Sequence, residues 1–462
     1  MNKDLVLMIP EIIVLLTAVA ALIAEMLRQP RIALSACIAG LALATLATIP
    51  MLGENATAFS ETFRIDTLSI WAKLILLPTT LLAVLLVRAE LGGSDREGTA
   101  YVLLIMVTLG SLIMAGAGDT MLIVLGVLLS SLGSFALVAY PRDDAATEAA
   151  MKFFVFASMT ASIMIFGLTY WFGGTGSTLL SELHILEKSS ALAAIGFITV
   201  VIGLGYKAAL VPFHFWAPDA YEGAPISIAA YLSVVPKIGA IFALAQVVRD
   251  LPTDSGWQWV LAIIAVLTMT FGYLAALVQQ NVVRLLAYSS IAQAGYFLLG
   301  ILAIGISPLA VESLIVFSAA YVAMNLGAFA IIMQIGRTLD SFKNMGFKHP
   351  LAGIAMVVFL ISLAGIPPLA GFVGKFLLFA AAMDAGFTWL VVIAIINSVL
   401  SLAVYLRIVM PMYQQPTADK PSKSEEKQDN VISLYLVKPV WLVGLIFTVL
   451  IGLAAQILLG RL

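Results

Sequence analysis

Three lysines, Lys207, Lys237 and Lys375, lie deep inside apolar segments of a 462-residue chain that is 62% hydrophobic. An ammonium at the bilayer centre costs about 2.5 to 3.5 kcal/mol on insertion scales, so such residues face a protein interior or a water-filled path. Burial weakens an amine's hold on its proton, which lets a lysine release the proton and take it back. The chemistry these residues suit is the carriage of protons or cations across a membrane. Each also has a structural reading. Lys207 can bond carbonyls freed by a helix break at Pro212, and Lys375 can snorkel if its segment ends nearby, although the run FLLFAAAM continues past it. Lys237 follows Pro236, 30 residues after Lys207, and no carboxylate precedes Asp250 in that segment to pair with it. The relay reading is favoured for all three.

Weaker candidates surround them. His214, beside the same break, can pass protons near neutral pH, and a hydrogen-bonded loop histidine is an equal reading. Glu148 and Lys152 are four residues apart, the spacing of an ordinary helix ion pair; a proton entry point is the alternative. Lys73 reads as a lysine snorkelling from the third apolar segment. Ser289, Ser290, Gln293, Asn325, Asn397 and Ser398 suit ordered water, but such residues also pack helices together.

These residues are carried by apolar segments at roughly 5–27, 32–52, 65–88, 99–117, 119–140, 147–173, 190–213, 225–249, 257–279, 285–305, 311–336, 351–382, 386–412 and 438–461. Each is long enough to cross a bilayer at about 20 residues per crossing. They must be helices, because lipid offers no partner to open backbone groups, and no alternating strand pattern suggests a barrel. The expectation is an all-α membrane protein of about fourteen spans. Spans 7 and 12 should be discontinuous, since Pro212 and Pro218 follow Lys207 and the pair Pro367–Pro368 precedes Lys375. Interrupted helices at corresponding places in two halves point to an ion path in repeat-built transporters.

Only 11% of residues are charged, against roughly 25% in soluble domains. A net charge of -2 gives no field to attract nucleic acid. One cysteine, Cys37, excludes an internal disulfide or a cysteine-held cluster, and His184, His214 and His349 are too scattered for a metal site. The N-terminal run has no small-residue cleavage site and reads as a retained first span. Basic residues gather in one set of loops, including Arg28, Arg142, Arg284, Arg337, Lys420, Lys423 and Lys427, which puts that set in the cytoplasm and both termini on the other side. The longest polar connection, 414–430, reads as a solvated cytoplasmic loop, and no stretch could form a soluble domain.

The tracts GLGYKAALVPFHFWAPDAYEGAPISIAAYLSVVPKIGAIF, NVVRLLAYSSIAQAGYFLLG and LAGIPPLAGFVGKFLLF resemble the N subunit of respiratory complex I, one of its antiporter-like membrane subunits. The tract YEGAP favours the N-type over M-type, L-type and Mrp antiporter relatives. The resemblance covers roughly residues 100–412 and implies two inverted five-helix repeats, spans 4–8 and 9–13. The chain then divides into an N-terminal three-helix segment (1–98), the repeats (99–250 and 251–413), the polar loop (414–437) and a last helix (438–462). The resemblance further implies that Lys207, Lys237 and Lys375 are the proton stations of spans 7, 8 and 12. It implies a prokaryotic plasma membrane, neighbouring membrane subunits, and quinone, flavin and iron–sulfur clusters held in those partners, with no cofactor in this chain. One position departs. The family carries a glutamate in the middle of span 5, and Leu128 stands there in LGVLLSSLGSF. Two alternatives therefore stay open: a subunit of a multi-subunit cation/proton antiporter, and a non-pumping structural subunit that lost its coupling carboxylate.

Overall fold

The apolar runs fold into long helices, as a chain with no aqueous partner for its backbone must. The computed structural model describes residues 2–186, 191–251, 256–414 and 434–459. Among the described residues, thirteen spans are long and apolar enough to cross a membrane. The first seven are Ile9–Met26, Pro30–Met51, Thr67–Leu91, Glu97–Ala115, Thr120–Val138, Asp144–Thr175 and Ala191–Ala208. The other six are Ile226–Arg249, Trp257–Ala276, Val282–Leu302, Leu309–Ile335, Thr388–Met412 and Tyr435–Ala454. A further crossing, span 12, is made of two shorter helices, Pro350–Ala364 and Ala370–Asp384. With it the thirteen become the fourteen expected, and Thr388–Met412 and Tyr435–Ala454 are spans 13 and 14.

Three features differ from the sequence reading. A small antiparallel hairpin, Ala56–Ala58 with Phe63–Ile65, joins spans 2 and 3. Its turn is closed by Phe59, Ser60 and Glu61 in left-handed backbone, and Phe63 and Ile65 are buried with Ile70. Span 8 is also broken, into Ile226–Leu232 and Val235–Arg249. Pro236 has no N–H to offer the carbonyl four residues back. The Tyr221 hydroxyl donates to that Leu232 carbonyl at 3.3 Å, and Tyr321 donates to Ser233 O at 3.1 Å. Finally, the last helix starts at Leu434. Of the expected loop 414–437, residues 415–433, with Lys420, Lys423 and Lys427, lie outside the described residues.

Burial sorts the spans into layers. Span 8 is wholly buried and span 10 is 94% buried, so these two form the axis of the molecule. Spans 1, 2, 6, 13 and 14 present most of their surface outward. Spans 4 and 5 approach closely at Gly110 and Gly126, where a Cβ on Gly110 would lie 2.6 Å from Ser130 N. Small residues at such crossings are how helices associate in lipid, which supplies no hydrophobic drive of its own.

Candidate functional site

Both predicted breaks are present. Span 7 stops at Ala208 and resumes as the half-helix Trp216–Gly223; span 12 stops at Ala364 and resumes at Ala370. Each break contains a cis X-Pro bond, Val211–Pro212 and Pro367–Pro368. Side chains satisfy the opened backbone. Thr268 accepts from Val211 N at 3.1 Å, Trp216 Nε1 donates to Tyr206 O at 2.8 Å, and Ser362 Oγ accepts from Gly371 N at 3.0 Å. Gly365 takes φ +90°, and a Cβ there would press on the Lys375 stem at 2.9 Å. Glycine therefore both turns the chain and leaves room for that lysine.

All three lysines are buried. Lys207 Nζ donates to Ser131 Oγ on span 5 at 3.1 Å and lies 5.8 Å from the Phe153 ring centre. It bonds none of the carbonyls of its own break, unlike the structural reading. Lys237 Nζ donates to Ser290 O at 2.9 Å and to the Ser290 hydroxyl. Lys375 Nζ donates to Ser398 Oγ at 3.1 Å and to Ala364 O at 3.2 Å, and lies 4.1 Å from the Tyr296 ring centre. It does not snorkel; it caps the broken end of span 12. Among the described residues no carboxylate pairs with any of the three. Their partners are hydroxyls and carbonyls, groups that accept a hydrogen bond without fixing a charge.

Span 10 joins two of the lysines. Ser289, Gln293 and Tyr296 recur at intervals of four and three residues, so they share one helix face, and Ser290 lies beside it. Ser290 holds Lys237, and Tyr321 donates to Ser290 Oγ at 2.8 Å. Ser289 and Gln293 both reach the Tyr405 hydroxyl, at 2.6 and 3.2 Å. Tyr296 meets Ser398, the partner of Lys375, at 3.1 Å. Ser289, Ser290, Gln293 and Ser398, each weak alone, thus belong to a polar row of three separate hydrogen-bonded groups. Its tyrosines escaped the sequence reading, although Tyr296 falls seven residues after Ser289. Asn325 and Asn397 sit at the margins, on Ser233 and on Thr270. A cavity of about 390 Å³ adjoins Lys375 and Ser398 and reaches the chain surface at Val399 and Phe376.

The weaker candidates fare differently. His214 is buried in the break with its ring against Phe271, 4.6 Å between centres, and its Nδ1 has no hydrogen-bond partner among the described residues. Glu148 and Lys152 form the expected ion pair at 2.8 Å on an exposed helix face. Lys152 also reaches Asp219 at 2.9 Å, Asp219 reaches Arg284 at 2.7 Å, and Arg284 reaches Glu222 at 2.8 Å. The result is a ladder of alternating charge that ties the half-helix Trp216–Gly223 to spans 6 and 10.

One reading is corrected. Lys73 does not snorkel: it is buried on the inner side of span 3, 2.9 Å from an equally buried Glu11 of span 1. Glu11 went unnoticed because a carboxylate near a span end looks like an interfacial residue. Leu128 is 43% exposed, on the outward stripe with Met121, Leu125 and Leu132. The side chain that touches Lys207 is Ser131, three residues on. Among the described residues no cluster of His, Cys, Asp and Glu is placed to hold a metal ion.

Comparison with known proteins adds a family. Residues 117–401 match the model described as NADH:quinone oxidoreductase/Mrp antiporter, TM. The F(420)H(2) dehydrogenase subunit N of Methanosarcina mazei is 39% identical over 387 residues, 79% of this chain and 78% of that one. The NADH-quinone oxidoreductase subunit N of Desulfovibrio desulfuricans is 38% identical over 449 residues, 90% of this chain and 88% of that one. A chain of respiratory complex I from Thermus thermophilus superimposes with TM-score 0.83 at 30% identity, covering 97% of this chain and 98% of that one. A chain of the Mrp complex from Dietzia sp. shares the fold, with TM-score 0.85 at 22% identity, covering 98% of this chain and 96% of that one.

Proposed function

The chain belongs to the NADH:quinone oxidoreductase/Mrp antiporter membrane family, as an antiporter-like N-type subunit, and from that premise we propose that it moves protons across the membrane by relay through Lys207, Lys237 and Lys375. The observation that carries the reading is the set of buried ammonium groups bonded to hydroxyls and not to carboxylates. An amine in such a pocket takes a proton without first breaking a salt bridge. Ser290 beside Lys237, Gln293 with Tyr405, and Tyr296 beside Ser398 and Lys375 offer stages of the route, and passage from one group to the next needs bridging water. Glu148, Lys152 and His214 lie on the approach to Lys207.

In this reading the chain works inside a complex I-type oxidoreductase of a prokaryotic plasma membrane, with both termini on the non-cytoplasmic side. Quinone, flavin and iron–sulfur clusters belong to partner subunits. Spans 4–8 and 9–13 act as two inverted repeats, each with its own break. The scaffold reading draws on Leu128 and on the lack of a carboxylate beside Lys207. The antiporter reading draws only on the fold shared with the Mrp chain.

The test is Lys237→Ala and Lys237→Arg in the intact assembly reconstituted in vesicles. Both should assemble, and both should lose proton translocation and quinone reduction together, because guanidinium keeps its proton. Native pumping by both variants would favour the scaffold. Sodium-dependent transport with no quinone-reducing partners co-purifying would favour the antiporter.

A further inference from the structure

Glu11 and Lys73 form a second buried ionisable site, separate from the lysine file. Their charged atoms are 2.9 Å apart, with side chains 4% and 1% exposed. Apart from each other, neither carboxylate oxygen nor the ammonium has a hydrogen-bond partner among the described residues. The Phe63 ring of the hairpin lies 5.5 Å above Lys73 Nζ. A buried pair kept only to fix packing is worth about as much as apolar residues of the same volume. A pair with unused hydrogen-bonding capacity calls for another account.

Its position on span 3 supplies one. Asp66, Lys73 and Thr80 are spaced by seven residues, which stacks them on one inner face at intervals of about 10 Å. Towards the outer end, Asp66 binds Arg249 at 2.7 Å and Gln246 at 2.9 Å, and Arg64 binds Asp250 at 2.6 Å, all at the end of span 8. On the deeper side, Thr80 meets Thr108 at 2.8 Å, and Thr108 meets the Tyr231 hydroxyl at 2.7 Å. Tyr231 stands on the first half of span 8, six residues before Lys237. The stripe thus runs from the end of the bundle that carries the N-terminus to the middle of the span bearing a central lysine.

We infer that Glu11–Lys73 is a proton-exchange pair serving the N-terminal end of the bundle, by a branch along span 3. Lys73 passes a proton from Nζ to a Glu11 oxygen, so ammonium and carboxylate become amine and carboxylic acid with no change in net charge. Glu11 then releases that proton outward past Phe63 to the layer of Asp66, Arg64, Arg249 and Asp250. A proton arriving from the Thr80 side returns the amine to ammonium. The inference rests on the proton-translocating reading.

The test measures protons moved per quinone reduced by the intact assembly in vesicles. Glu11→Asp keeps both groups but draws the carboxylate back by one methylene, and should retain more of the ratio than Lys73→Arg does. Lys73→Arg keeps the ion pair but holds its proton, and should lower the ratio about twofold or more. The double variant Glu11→Gln/Lys73→Met should do the same. Native ratios in Lys73→Arg or in the double variant would overturn the inference. So would failure of both pair-retaining variants, Glu11→Asp and Lys73→Arg, to assemble, which would make the pair a packing element. Lys237→Arg, run alongside, separates the two claims: if it too pumps natively, the relay reading itself fails.

Discussion

Replacing Asp219 by asparagine should loosen the half-helix that follows the break in span 7. Asp219 accepts from Lys152 at 2.9 Å and from Arg284 at 2.7 Å. The Lys152 side chain is 46% exposed, so that arm is screened by solvent and adds little. Arg284 is less exposed, at 28%, but it keeps Glu222, and losing Asp219 should cost it about 1 kcal/mol. The loss is then about 1 kcal/mol, which is roughly a 5-fold change in a local opening equilibrium. Hydrogen exchange of amides 216–224 in the intact assembly reads this directly. Arg284→Met should cost more than Lys152→Met. The effect should extend to the lysine file, because Trp216 on this half-helix stacks on Phe153 at 4.1 Å, and Phe153 faces Lys207. Unchanged exchange in Asp219→Asn, or equal costs for the two basic partners, would refute the argument.

Further outcomes follow from the same geometry. Leu128→Glu puts a carboxylate on the outward stripe of span 5; assembly yield should fall, reflecting about 2–3 kcal/mol of insertion cost, while surviving complexes keep the native pH profile of pumping. A shifted profile would place Leu128 beside Lys207 after all. Gly110→Ala should lower the melting temperature of the assembly, at about 1–3 kcal/mol, because its Cβ meets backbone of span 5 at 2.6 and 2.8 Å; an unchanged melt would contradict the close crossing. A membrane-impermeant thiol reagent on intact cells should miss a cysteine placed at Ser422 and reach one placed near Met1. The reverse labelling would invert the proposed orientation.

Composition and periodicity determined most of the architecture. Runs such as Thr388–Met412 or Leu309–Ile335 have one solution in lipid, so their helical state and crossing number were legible at once. The breaks at Pro212 and Pro367–Pro368 were legible for the same local reason, a missing backbone donor. The burial of the three lysines was legible too, since each lies inside an apolar run. What each lysine touches was not. Span 7 meets Ser131, span 8 meets Ser290, and span 12 meets Ser398, pairings 76, 53 and 23 residues apart in the chain.

Facing was the other thing only the tertiary structure decided. Lys73 and Leu128 sit in equally apolar helices, where nearly every position is hydrophobic and no amphipathic stripe marks the inside. Lys73 turns inward because span 1 brings Glu11 to it, and Leu128 turns outward because Ser130, Ser131 and Ser134 occupy the inner face of span 5. The break in span 8 went unpredicted because Pro236 alone gives no more than a kink, and the tyrosines that hold it open come from Tyr221 and, through span 11, from Tyr321. In a soluble protein water would have marked the outer face of each helix. In a membrane both faces are apolar, so the contacts between helices alone fix which residues look inward.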